Sequence, residues 1–365
     1  MKQWFTIILY LFSVLSASFT KPEIQSQELS RVVVPQVKEF RRKTHIPGIA
    51  LGIYYKGKPY FYNFGFADEE RRSPVTRKTI FEIGSITKSF TALLLALEVQ
   101  RGHMKLNDPL VRYMPFLQRF PGLFHAITLK HLATHTAGLS RTPSTAWPRR
   151  GKKKLIRPVV IRSLLRWQPR FFPGTDFLYS NWGFALLGFA LENRTGKPYG
   201  KLLQEEILRP LGMTSTFLQV PLFLRNRYAQ GYRRNRFPAQ RWPLNGMNAG
   251  GGLRSTTADL MKFLMANLGL YGPQELIKAM QLTHRGFFRA GPYRVQALSW
   301  SRNTKEGYTI IAKNGGVTGF SSYMAFIPEK EIGLILLSNK RCSHVTPFGR
   351  SLLVSIVSQQ SKKIH

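Results

Sequence analysis

The stretch Phe81-Glu82-Ile83-Gly84-Ser85-Ile86-Thr87-Lys88-Ser89-Phe90, followed by Leu93-Leu94-Leu95-Ala96-Leu97, limits the possible folds most. No charge falls between Lys88 and Glu98. A helix over these residues is apolar all round and belongs inside a core, not on a surface. Ser85 stands at its start, where unpaired N–H groups and the positive dipole end favour developing negative charge. Lys88 lies one turn further on the same face, within reach of the Ser85 hydroxyl. Two readings are open. Ser85 is a helix cap beside a solvated lysine, or it is a nucleophile whose proton passes to a desolvated lysine. The four-residue pattern does not separate them, because Ser18-Phe19-Thr20-Lys21 has it too.

A chain of 365 residues with 43% hydrophobic and 20% charged residues has the means to fold around a sizeable core. The apolar run Trp4 to Ala17 is shorter than the roughly 20 residues that span a bilayer, and small residues follow at Ser16-Ala17-Ser18. We read residues 1–18 as a cleaved export signal, with a retained anchor as the alternative. Residues 19–365 then form one exported catalytic domain, periplasmic or secreted, with no integral membrane span. The single Cys342 excludes an internal disulfide. A net charge of +36, from 54 Lys+Arg against 18 Asp+Glu, raises the question of nucleic acid. The basic residues are spread along the chain, with bursts at 149–154 and 225–241, and no nucleic-acid-binding motif accompanies them. The expectation is therefore no specific nucleic-acid partner, and a surface suited to an anionic cell-envelope polymer. The eight histidines show no paired spacing for zinc, so neither metal nor cofactor is expected.

In chain order, residues 27–43 read as an amphipathic helix. Strands Ile49–Tyr55 and Tyr60–Phe66 form a hairpin across Lys56-Gly57-Lys58-Pro59. The Ser85 helix ends near Gly102, and short helices broken by Pro and Gly fill Leu106 to Gly252. A helix at Ala258–Leu268 precedes strands Tyr308–Ala312, Ser321–Ile327 and Ile332–Ser338, with turns at Gly315-Gly316 and Pro328-Glu329-Lys330. An apolar helix over Leu352–Val357 closes the chain. The predicted fold is α/β in the α+β sense. One antiparallel sheet is completed by both chain ends (about 24–80 and 255–360), with the terminal helices on one face and a helical lobe (about 81–254) on the other. Ser85 falls at the seam, where sites favour the junction of lobes.

Two further constellations carry chemistry. Tyr179-Ser180-Asn181 follows the turn Phe172-Pro173-Gly174-Thr175 and precedes the apolar Trp182–Leu191; Tyr-x-Asn occurs once among 14 tyrosines. It reads either as a core tyrosine with a capping asparagine, or as a tyrosine exchanging protons with Ser85 beside an asparagine that meets a substrate amide. Lys313-Asn314-Gly315-Gly316 is either a plain hairpin turn or a lysine for a carboxylate, beside glycines that let substrate backbone approach.

Supporting stretches accompany these three motifs in order: Asn107-Asp108-Pro109, Leu132-Ala133-Thr134-His135-Thr136-Ala137-Gly138-Leu139, Pro173-Gly174-Thr175, Pro210-Leu211-Gly212-Met213, Ala249-Gly250-Gly251-Gly252-Leu253-Arg254-Ser255-Thr256 and Tyr323-Met324-Ala325-Phe326-Ile327-Pro328. Taken together, the chain resembles the class C serine β-lactamases, within the penicillin-recognising hydrolases that also include D-alanyl-D-alanine peptidases and esterases. The resemblance implies that Ser85 is acylated by a β-lactam or a D-Ala-D-Ala-like substrate, and that Lys88 and Tyr179 share its proton. It implies that Asn181 binds the acyl-side amide and that Lys313, with Asn314, binds the carboxylate. Gly315 and Gly316 line the strand, and the N–H groups of Ser85 and Gly316 form the oxyanion hole. It gives His135 a structural role. Asn314 stands where the family usually has threonine, and no Glu-x-x-Leu-Asn segment of the class A type is present.

Overall fold

The computed structural model describes residues 21–119, 122–143, 157–243, 246–305 and 307–361. The expected signal segment, residues 1–18, lies outside the described residues. Eleven strands are present among them: β1 (Gly48–Tyr55), β2 (Lys58–Asp68), β3 (Ser73–Pro74), β4 (Phe81–Glu82), β5 (Arg254–Ser255), β6 (Phe288–Gly291), β7 (Arg294–Gln296), β8 (Ser301–Lys305), β9 (Tyr308–Val317), β10 (Phe320–Ile327) and β11 (Ile332–Ser338). Nine of them form one antiparallel sheet in the order β3-β2-β1-β11-β10-β9-β8-β7-β6. β1 pairs with β11 from Ile49 opposite Ser338 to Tyr54 opposite Gly333, so the two chain ends close the middle of the sheet as expected. The β1–β2 loop is only Lys56-Gly57, both at positive φ, which matches the twist of a two-residue hairpin.

Side chains alternate across a strand, so each central strand feeds two cores. Ile49, Leu51 and Ile53 of β1, with Leu334 and Leu336 of β11, meet the amino-terminal helix (Lys21–Thr44) and the carboxy-terminal helix (Val345–Ser361). Ala50 and Tyr54, with Ile335 and Leu337, face the opposite core and the helical region. The central helix (Thr87–Gln100) is buried at every position from Thr87 to Glu98. Its run without charge between Lys88 and Glu98 leaves no side that water would favour, and each fully buried leucine contributes roughly 1.5–3 kcal/mol.

Two sequence expectations are corrected. Gly315-Gly316 is not a turn: β9 runs on to Val317, with Gly315 opposite Ser322 and Gly316 opposite Ser321, and the turn falls at Thr318-Gly319. The glycines serve close packing instead, because a Cβ on Gly315 would overlap the Ile83 carbonyl and lie 3.0 Å from the Ser85 nitrogen. Strands β6, β7 and β8 went unread because their short, half-exposed and polar segments carry no apolar alternation.

Candidate active site

Ser85 does not sit inside the central helix but in a tight 3-10 turn, Gly84–Ile86, immediately before it. Bonds to Leu253, Ser322 of β10 and Thr87 pin this turn. Ile83 N–H donates to the Leu253 carbonyl at 3.1 Å, and the Ile83 carbonyl accepts from Ser322 Oγ at 2.8 Å. The Gly84 carbonyl accepts from Thr87 Oγ1 at 2.6 Å, and Thr87 Oγ1 in turn accepts from Leu253 N–H. Gly84 has a φ of +51°, and a Cβ there would come within 2.6 Å of the Gly316 nitrogen. Only glycine meets both demands, the left-handed backbone and the contact with β9. Gly84→Ala is expected to destabilise the fold by about 2 kcal/mol or more and to slow reaction at Ser85, checked by thermal unfolding and by the rate of covalent labelling.

The turn aims Ser85 Oγ at two groups. Lys88 Nζ donates to it at 3.1 Å, and the Tyr179 hydroxyl donates to it at 2.6 Å. Lys88 is fully buried; its Nζ also donates to Asn181 Oδ1 at 2.7 Å and, in a short contact, to the Gly250 carbonyl. All three ammonium donors are therefore used. Burial, and then the positive charge of Arg141, push the Lys88 pKa well below that of an ordinary lysine. The neutral amine is thus accessible near the serine hydroxyl.

Tyr179 and Asn181 arrive together because Ser180 caps the helix Asn181–Thr195: its hydroxyl accepts from Gly183 N–H at 2.8 Å. The cap is Ser180 and not Asn181, which leaves the asparagine amide free to hold Lys88. His135 packs on the Tyr179 ring, with centroids 4.3 Å apart, and its Nδ1 accepts from Ser180 N–H at 3.1 Å. It is buried, and its pKa is held well below the usual value by burial and by Lys313, Lys88 and Arg294. A neutral ring packed behind the tyrosine fits the structural role expected of it. Lys313 Nζ lies 5.4 Å from the Tyr179 ring centroid and donates to the Ser299 carbonyl at 2.7 Å. Its pKa is lowered to about 8 by burial, with Lys88 and Arg294 adding to the shift against the tyrosine. Asn314, next along the strand, is exposed opposite Tyr323.

All eight residues singled out from the sequence therefore lie on the serine turn, the first turn of the central helix, the head of the Asn181 helix or the facing stretch of β9. Three arginines were missed. Arg141 lies with its guanidinium 5.4 Å from the Tyr179 ring centroid, Arg294 influences Lys313 and His135, and Arg341 lies against Gly316. Nothing in their local sequence marks them, since each reaches the cleft from a different loop or strand. No group of three or more potential metal-binding side chains occurs among the described residues.

This arrangement of elements has counterparts among known proteins. The family model described as Beta-lactamase matches residues 33–354. The chain belongs to the beta-lactamase family. A beta-lactamase of Escherichia coli (strain K12) is 30% identical, the match covering 92% of this chain and 94% of that one. A beta-lactamase of Pseudomonas fluorescens is also 30% identical, over 86% of this chain and 94% of its own. A solved class C beta-lactamase superimposes with a TM-score of 0.83 at 27% identity, covering 91% of this chain and 96% of its own. A D-alanine carboxypeptidase structure from Burkholderia cenocepacia gives a TM-score of 0.81 at 30% identity, over 92% and 99%. As a member of this family the chain is a serine hydrolase, and its mixed fold is that of the class C enzymes. Among the described residues no helix is long and apolar enough to cross a membrane.

Proposed function

We propose that the protein is an exported β-lactamase of the class C type, opening the β-lactam amide through an acyl-Ser85 intermediate. One observation carries this reading: Ser85 Oγ is hydrogen-bonded at once to a buried, easily neutralised Lys88 and to the Tyr179 hydroxyl. In the proposed step Oγ attacks the lactam carbonyl while Lys88 takes its proton. The proton passes by way of Tyr179 to the amide nitrogen as the C–N bond breaks. The N–H groups of Ser85 and Gly316 hold the oxyanion, a contribution of a few kcal/mol. Asn181 orients the acyl-side amide, and Lys313 with Asn314 takes the carboxylate. Similarity to class C structures, one of them in complex with cefoxitin, supports the substrate class. Export rests on the apolar run before Ser18, and the charge of +36 suits contact with anionic envelope polymer.

The resemblance to a D-alanine carboxypeptidase favours a second reading, in which the same serine is acylated by a D-Ala-D-Ala terminus. The two differ in how fast water cleaves the acyl-enzyme. Intact-protein mass spectrometry with benzylpenicillin decides between them: an adduct that forms and clears as the drug is consumed supports the β-lactamase, and one that persists supports the peptidase. Absence of any adduct overturns both.

The lowered pKa of Lys313 adds a pH dependence. Below about 8 its ammonium is charged and attracts a substrate carboxylate; above that pH the charge is lost. For a carboxylate substrate, kcat/KM is expected to fall by about tenfold per pH unit well above that point, with kcat falling less. Lys313→Ala should show a low kcat/KM without that alkaline limb. A wild-type profile flat to pH 10 removes this role for Lys313.

A further inference from the structure

Arg141 and Arg341 come from distant parts of the chain to two neighbouring parts of the site, Tyr179 and Gly316. Arg141 is fixed at the head of the Asn181 helix, where its carbonyl accepts from Asn181 N–H at 3.0 Å. Its guanidinium carbon lies 5.4 Å from the Tyr179 ring centroid. Arg341 follows β11 and is anchored by its N–H on the Tyr232 carbonyl at 3.0 Å. Its guanidinium fills the space beside Gly316, where a Cβ would overlap it. Neither arginine belongs to an ion pair among the described residues, although most other pairs there engage arginine. The two feel each other: Arg341 is half-buried, and burial followed by the charges of Arg141 and Arg234 lowers its pKa. Two guanidinium groups that act on each other, with no ion-pair partner for either among the described residues, are an unfavourable arrangement that an anion relieves. Their planar forks suit a carboxylate.

The position along β9 says which part of a substrate this anion belongs to. Gly316 lies three residues beyond Lys313, roughly 10 Å along a strand, and Arg141 adjoins Asn181. Arg341 therefore lies beyond Lys313 along β9, beside Gly316, and Arg141 is tied to Asn181, the residue read as meeting the acyl-side amide. We propose that Arg141 and Arg341 form a second anion subsite, so that the preferred substrate carries a carboxylate on its acyl side chain as well as the one offered to Lys313. The proposal rests on the reading of Asn181 as the acyl-end residue.

The test compares benzylpenicillin with carbenicillin, the same molecule with one added carboxylate on the acyl side chain. Equilibrium binding of each is measured by calorimetry to Ser85→Ala, which holds ligand without turnover, and to the same protein carrying Arg141→Ala, Arg341→Ala or both. Carbenicillin is expected to bind Ser85→Ala about tenfold more tightly or better. This advantage should shrink with added salt, vanish in the double arginine variant and survive in part in Arg341→Lys. Benzylpenicillin affinity should change little in these variants, and exposed Arg141→Ala gives a readout even if changes at Arg341 impair folding. No advantage for carbenicillin, or an advantage that persists without both arginines, overturns the subsite. Failure of wild-type Ser85 to form any penicillin adduct overturns the proposed function instead, and leaves this comparison readable.

Discussion

Ser85→Ala is expected to lower kcat/KM for a penicillin by about 10^4-fold or more, the scale on which removal of a serine nucleophile acts. The substitution removes one oxygen that accepts from both Lys88 and Tyr179, at 3.1 and 2.6 Å. It leaves the Gly84–Ile86 turn held by Ile83, Thr87 and Ser322, so the fold should persist with an unchanged circular dichroism spectrum. Intact mass should show no adduct, while substrate binding is retained. A variant that still acylates at the wild-type rate would move the nucleophile elsewhere.

Lys88→Met should slow acylation by about 10^3-fold, within the range of a lost general base. The side chain length is kept and the charge removed, but Asn181 Oδ1 and the Gly250 carbonyl lose their donor. The sign of the pH effect follows from burial. An ammonium cannot accept the Ser85 proton, and the Lys88 pKa lies well below the ordinary lysine value. Wild-type acylation should therefore rise with pH through that lowered pKa, and Lys88→Met should lose the limb. Tyr179→Phe should slow the reaction yet keep the limb. The opposite result, with the limb lost in Tyr179→Phe and kept in Lys88→Met, would assign the base to the tyrosine. Stability carries the same signature: the unfolded chain binds more protons between the folded and unfolded pKa values, so stability rises with pH across that window, and Lys88→Met should flatten the rise.

Much of this site was legible because its parts are local. Ser85 and Lys88 are separated by one helical turn, and Tyr179 and Asn181 flank a serine that caps the following helix. Reading Gly315-Gly316 as a turn failed for a physical reason: glycine is chosen there for the approach of the Ser85 turn, not for a reversal of the chain. The reading of Asn181 as a helix cap stayed open in the sequence, since serine and asparagine serve equally well at such a position. Only the folded chain shows which of the two carries the bond to Gly183.

Burial of the helix after Ser85 follows from residue order alone, because a run without charge between Lys88 and Glu98 has no side to offer water. So does the sharing of one sheet by the two chain ends, since their apolar strands need partners on both edges. Which charges meet is fixed by folding. Gly250, Arg141, Arg294 and Arg341 are far from Ser85 along the chain, yet Gly250 accepts from Lys88, Arg141 and Arg294 add to the burial that lowers the pKa of Lys88 and of Lys313 respectively, and Arg341 lies against Gly316. Desolvation and Coulomb energies depend on distance through space and on the water excluded between groups, and neither is written in residue order.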